Sequence, residues 1–178
     1  MRQIFILAFT TVFIGPAFAV GSNDDSPPVK TQTSEDCKET EIFDEKTETC
    51  VKADKKSFND DDRYDAVREL AYAEEYERAL SIIAVADNPK DPRFLNYQGF
   101  IHRKTGKMDR AMVYYEAALR ADPDYHLARS YMGQGLYQSG HRKAAQQQLE
   151  EIAARGGTDT WAYQALAKVI SGIGVARY

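Results

Sequence analysis

The stretch from Asp91 to Pro123 constrains this chain more than any other. It reads DPRFLNYQGFIHRKTGKMDRAMVYYEAALRADP. Pro92 suits the first turn of a helix, where its missing N–H has no intrahelical partner to lose. Leu95, Gly99 and His102 follow at helical spacing. Gly106 supplies a left-handed residue at which a helix can end. Met108, Ala111, Met112, Tyr115, Ala118 and Leu119 then share one face of a second helix. Asp122-Pro123 stops it, because proline disfavours helix in the residue before it. The prediction is two antiparallel helices joined by a tight turn. Gly99 in mid-helix costs roughly 1 kcal/mol relative to alanine, which makes sense where another helix must come close. Ala111 is equally small across the turn. Gly99 and Ala111 are therefore expected to face each other, or the neighbouring helix, at close approach.

The spacing Leu95, Gly99, His102, Gly106, Ala111, Tyr115, Ala118, Pro123 resembles the tetratricopeptide repeat (TPR), and with the export signal below, the exported bacterial type of that family. The departures are Leu95, where the family most often has tryptophan, Gln98, where it has leucine, and His102, where it has tyrosine. The family period is about 34 residues. One period forward, Gly99 falls on Gly133, Gly106 on Gly140, Ala111 on Ala145, Tyr115 on Leu149 and Ala118 on Ile152. Backward the match needs a shift of about two residues. There Val67 and Leu70 give the first-helix pattern, and Tyr76, Ala79, Ile83 and Ala86 the second. Two periods forward, Trp161, Tyr163, Leu166 and Ile170 mark a single last helix.

The resemblance covers roughly residues 60 to 171. It implies an all-α fold, a TPR-like α-solenoid of about three helix pairs plus a C-terminal capping helix. Helices are expected over 61–72, 75–87, 92–104, 108–121, 126–138, 142–154 and 159–171. One such pair cannot bury its apolar face alone, so stacked neighbours build the core.

The N-terminus is of another kind. Met1-Arg2 carries one positive charge, Ile4 to Ile14 is apolar apart from Thr10 and Thr11, and Ala17-Phe18-Ala19 is a small-x-small cleavage signal. Together these predict a secretory signal peptide over residues 1–19, cut after Ala19; the alternative is an uncleaved anchor. The apolar run is too short to span a bilayer comfortably. The mature protein is expected to be exported, periplasmic or secreted, and not embedded in a membrane. Residues 20–36 are poor in apolar side chains and are expected to form a disordered linker.

Cys37 and Cys50 are the two cysteines of the chain. Export to an oxidising space predicts a Cys37–Cys50 disulfide. Asp44-Glu45-Lys46-Thr47 between apolar flanks suits a hairpin turn over residues 37–51. The alternatives are a metal site or a redox pair, but no histidine is near and the spacing is not C-x-x-C. Residues 52–60 are expected to link this hairpin to a helical domain over 61–171, and 172–178 to be a tail.

Charge divides the chain. Val20 to Asp62 holds 13 acidic and six basic residues, and Arg63 to Tyr178 holds 14 acidic and 16 basic. The acidic arm either serves solubility or contacts a basic surface, on another protein or on this one. Catalytic chemistry finds no support. His102 falls where the repeat buries a residue, and His126 and His141 lie near helix starts, where surface placement is expected. No HExxH is present, and Gly156-Gly157 and Gly172-x-Gly174 are too sparse for phosphate loops. Tyr97, Tyr114, Tyr115 and Tyr131 sit at core spacing, with a ligand role as the alternative. No metal, cofactor or nucleic-acid partner is expected.

A binding module is thus expected, not an enzyme. In the TPR family the first helices of successive repeats line a concave surface that holds a partner segment. Carried over residue by residue, that surface holds Tyr64, Arg68, Arg93, Asn96, Phe100, Arg103, Leu127, Ser130, Gln134, Tyr137, Gln164 and Lys168. The family's clamp for a C-terminal carboxylate uses lysines and asparagines, and the matching positions here are Tyr64, Arg68, Tyr97, Leu127 and Tyr131. That departure argues against the clamp. No acidic residue maps to the lining, so the partner expected is a protein carrying an acidic segment with apolar anchors. Three alternatives stand beside it: solvated arginines on an ordinary helix face, the chain's own acidic arm in the groove, or an accessory or carrier holding a small ligand or polysaccharide there.

Overall fold

A computed structural model describes residues 36–173. The expected signal peptide, most of the linker and the last five residues of the tail lie outside them. A two-stranded hairpin, β1 (Glu41–Asp44) and β2 (Thr49–Lys52), precedes seven helices. The helices are α1 (Asp60–Tyr72), α2 (Tyr76–Ala84), α3 (Pro92–Lys104), α4 (Met108–Ala121), α5 (His126–Gln138), α6 (Arg142–Ala154) and α7 (Trp161–Ile170). Pairs α1–α2, α3–α4 and α5–α6 pack as antiparallel hairpins, and α7 lies against both α5 and α6. This is the TPR-like all-α solenoid with a capping helix.

Local chemistry fixes the boundaries. Asp91 accepts a hydrogen bond from the Arg93 N–H at the start of α3, with Pro92 in the first turn. Thr160 caps α7 through the Tyr163 N–H. Gly106 (φ 77°) and Gly140 (φ 84°) take the left-handed conformation at the turns after α3 and α5. At each, the next N–H reaches back to close the helix, from Lys107 to the His102 carbonyl and from His141 to the Leu136 carbonyl. In the first pair Glu74 takes this place, with φ 65° and an N–H from Glu75 to the Leu70 carbonyl. Glu74 stands 32 residues before Gly106, which accounts for the two-residue shift in the repeat.

The close approach at Gly99 is real, but its partner is Tyr115, one turn beyond Ala111. A Cβ on Gly99 would stand 2.6 Å from Tyr115 Cε1. Ala111 is fully buried. Gly133 repeats the arrangement one period on, against Leu166 of α7.

Cys37 and Cys50 are bonded, and β1 pairs with β2 in the register Phe43↔Cys50. The hairpin is not detached from the helices. Ile42 and Ala53 belong to the same buried cluster as Leu70, Ile82 and Phe94. Arg63, 2% exposed, donates from Nε to the Ala53 carbonyl at 2.9 Å and from Nη1 to Asp60 and Asp87, each at 2.9 Å. Burial pushes the Asp60 carboxyl up, but the Asn88 and Asp87 N–H groups and the Arg63 guanidinium outweigh it and hold it below its ordinary value. Residues 52–60, expected to be a plain linker, thus carry a fully buried anchor at Ala53.

Candidate functional site: the concave face

The first helices and the last helix pack in series, α1 on α3, α3 on α5 and α5 on α7, and the inner face of a stacked array is the side that such helices share. Its centre is a chain of aromatic rings. Tyr64 stands edge-on to Tyr97 at 5.8 Å, Tyr97 meets Phe100 at 6.0 Å, Phe100 meets Tyr131 at 5.1 Å, and Tyr131 is edge-on to Trp161 at 6.4 Å. Edge-on and tilted pairs at these separations are the favoured ones. Tyr72, at the end of α1, touches Phe100 at 5.5 Å, and its hydroxyl hydrogen-bonds the Tyr131 hydroxyl. Tyr97 and Tyr131 are fully buried, and burial is the first cause that raises the pKa of both hydroxyls. Both stay protonated at any physiological pH.

The residues assigned to this face therefore fall into three groups. Asn96, Phe100, Leu127, Ser130 and Gln134 are at most 1% exposed; they are interior residues of the closed face, not an open lining. Gln134 Nε2 donates to Ser130 Oγ at 3.3 Å, whereas neither amide atom of Asn96 has a protein partner. Tyr64, Arg68 and Arg103 are nearly as deep. Arg103 lies 5.5 Å over Phe100 and 5.8 Å over Tyr131, and donates to Gln138 Oε1. Arg93, Tyr137, Gln164 and Lys168 keep accessible surface.

The expectation of a lining with one sign of charge needs correction. Arg93 donates to Asp91 through Nε and Nη2, each at 3.0 Å, and to Asp61 through Nη1 at 2.7 Å. Asp61 comes from the first turn of α1 and Asp91 is the N-cap of α3 itself, so Arg93 is matched by carboxylates at the starts of two helices. Arg93 also lies 4.9 Å over the Tyr64 ring. Tyr72 was not expected at this site. The sequence signal was present, since it lies one residue past the end of the apolar pattern of α1, but only the curvature of the stack brings it to Tyr131.

The three histidines lie apart from one another. His102 stacks on Tyr114 at 5.2 Å between α3 and α4; burial first, then Arg110 and Lys107, push its pKa down and favour the neutral ring. His126 is half-buried against Gly157, deeper than expected, and burial lowers its pKa as well. His141 is exposed. Among the described residues no group of His, Cys, Asp and Glu could hold a metal ion, and no helix is long and apolar enough to cross a membrane. A shallow cleft lies on the hairpin instead, lined by Asp36, Phe43, Glu45, Glu48, Thr49 and Cys50.

Residues 102–169, from the end of α3 into α7, match a family model described as Tetratricopeptide repeat. No curated protein and no solved structure matches the chain. Repeats of this kind serve protein–protein interaction, using the extended concave surfaces that stacking creates.

Proposed function

We propose that this protein is an exported adaptor of the bacterial cell envelope that holds a protein partner on the concave side of its helical stack, and that it is not an enzyme. The observation that carries this reading is the stack itself. Three helix pairs and a capping helix stack in series, the arrangement that creates extended concave surfaces in repeat proteins. The Cys37–Cys50 disulfide supports an oxidising compartment, and the sequence pattern of residues 1–19 supports export.

The surface a partner can reach first is the C-terminal part of the inner side, where Tyr137, Gln164 and Lys168 keep accessible surface. Lys168 suits an acidic segment there, and Tyr137 offers an apolar anchor. Arg93 and Arg103 are poor probes of this idea. Reversing Arg93 sets three carboxylates together with Asp61 and Asp91, and reversing Arg103 buries a carboxylate among aromatic rings, so both variants lose the fold before they test binding. Lys168→Glu combined with Tyr137→Ala is the informative change. Quantitative capture from envelope extract should fall at least tenfold for the double variant, with an unchanged helical spectrum, and should weaken as salt rises. Capture equal to the parent's overturns the concave-side reading.

A further inference from the structure

The inner face is shut by a contact that skips a helix. Tyr72 ends α1 and Tyr131 lies mid-α5, 59 residues apart, with α3 between them. α1 and α5 share no extensive packing of their own. Their link runs through the two hydroxyls over the Phe100 ring.

The same helix α3 that carries Phe100 also carries buried groups that the closed interior leaves unsatisfied. Asn96 is fully buried with both amide oxygen and amide nitrogen unpartnered, and the fully buried Tyr97 hydroxyl has no partner. Leaving such groups unmade costs more than a typical hydrogen bond gains. An amide is, by contrast, the side chain best matched to a peptide backbone, since it donates and accepts at once. A face that always stayed closed would be better built with an apolar residue at position 96.

We propose that the Tyr72–Tyr131 hydroxyl pair is a latch that holds the concave face closed, and that its release swings α1 away from α5 and exposes Asn96, Tyr97 and Phe100 to an extended peptide segment. The proposal rests on the concave-side reading above and adds its regulation. Phe100 supplies an apolar seat, and Asn96 pairs with the backbone beside it. Arg103, spread over Phe100 and Tyr131, covers the same seat in the closed form. The segment that binds would hold the open form by its higher affinity for it, which is the only way a ligand shifts such an equilibrium.

The test needs no partner. Native-state hydrogen exchange at low denaturant is measured on the full chain for the parent, Tyr72→Phe, Tyr131→Phe and the double variant. Each phenylalanine keeps the ring and removes the shared hydroxyl contact. Opening-dependent exchange of amides in α1 and α5 should rise roughly fivefold in either single variant, the effect of one ordinary hydrogen bond, while amides of α4 and α6 keep the parent's rates. The double variant should add almost nothing, because both changes break one bond. Tyr115→Phe, in the α3–α4 interface, should leave α1 and α5 exchange at the parent's level. Unchanged exchange in α1 and α5, a uniform rise over all seven helices, or additive single effects would each overturn the latch. Capture separates the two readings. If exchange rises as expected and Tyr72→Phe captures no more partner than the parent, the peptide seat at Asn96 and Phe100 is overturned, while the concave-side reading stands or falls separately with Lys168→Glu and Tyr137→Ala.

Discussion

Replacing Gly99 by alanine sets two calculable effects against each other. Alanine in mid-helix gains about 1 kcal/mol over glycine through backbone propensity. The new Cβ, however, would stand 2.6 Å from Tyr115 Cε1 and 2.7 Å from Cδ1. The Tyr115 ring is fully buried and cannot rotate away. Ordinary contact requires roughly 1 Å more, so α3 and α4 must separate or the ring must leave its rotamer. Overpacking of this kind costs about 1–3 kcal/mol, and a rigid ring places Gly99 in the upper half of that range. The net expectation is a loss of about 1–2 kcal/mol, or a melting temperature lower by roughly 3–8 °C for a domain of this size. Gly133→Ala is the matched control. Its Cβ would meet Leu166 Cδ2 at 2.6 Å, the far end of a side chain that can change rotamer, so the propensity gain should nearly cancel the strain. Urea unfolding of both variants, followed by far-ultraviolet circular dichroism, measures the difference at constant m-value. Gly99→Ala more stable than the parent by about 1 kcal/mol, the propensity term alone, would refute the packing of Tyr115 against Gly99.

Two further outcomes follow from the first pair and the hairpin. Glu74→Gly should stabilise the protein by about 0.5–1 kcal/mol, because a left-handed conformation costs a non-glycine residue about 1–2 kcal/mol and glycine returns part of that as unfolded-state entropy; the ion pair to Lys104 that is lost is exposed and long at 3.6 Å, and a destabilised variant in thermal melts would remove the turn assignment. Replacing Cys37 and Cys50 by serine should lower the melting temperature of the helices themselves, because Ile42 and Ala53 share their core; the crosslink contributes about 3 kcal/mol in the chain-entropy model, and an unchanged helical melt would show that the hairpin is a separate unit.

The helices were legible because their signals are local. Asp91-Pro92, Gly106, Asp122-Pro123 and Gly140 each act within a few residues, and α3 to α6 span the expected ranges. The first pair read less well because its turn uses Glu74, which carries no glycine signature. The second helix of that pair ends at Ala84, three residues before the expected stop. The inner face was legible as a direction and not as a depth. Helical period says which side Asn96, Phe100, Ser130 and Gln134 point to. It does not say how tightly the stack curves, and the curvature is set by contacts such as Tyr72 with Tyr131 that join residues 59 apart. The hairpin's docking was hidden for the same reason, since Arg63 finds Ala53 and Asp87 only in the folded chain.

The arginines show most clearly how a pattern can be read correctly and still be assigned the wrong task. Arg63, Arg93, Arg129 and Arg155 each reach a different segment from their own. Arg63 holds Ala53 and Asp87, Arg93 holds Asp61, Arg129 holds the Pro123 carbonyl and Gln148, and Arg155 holds Asp124 at 2.7 Å. Each ties a helix to the loop or pair beside it, so one guanidinium fork per junction fixes the stacking angle through directed bonds. Charge used in this way is already matched and leaves little field for a partner. Arg93, on the inner face, is thus part of the spine, and the binding reading proposed above rests instead on Lys168 of the capping helix, exposed beside Gln164.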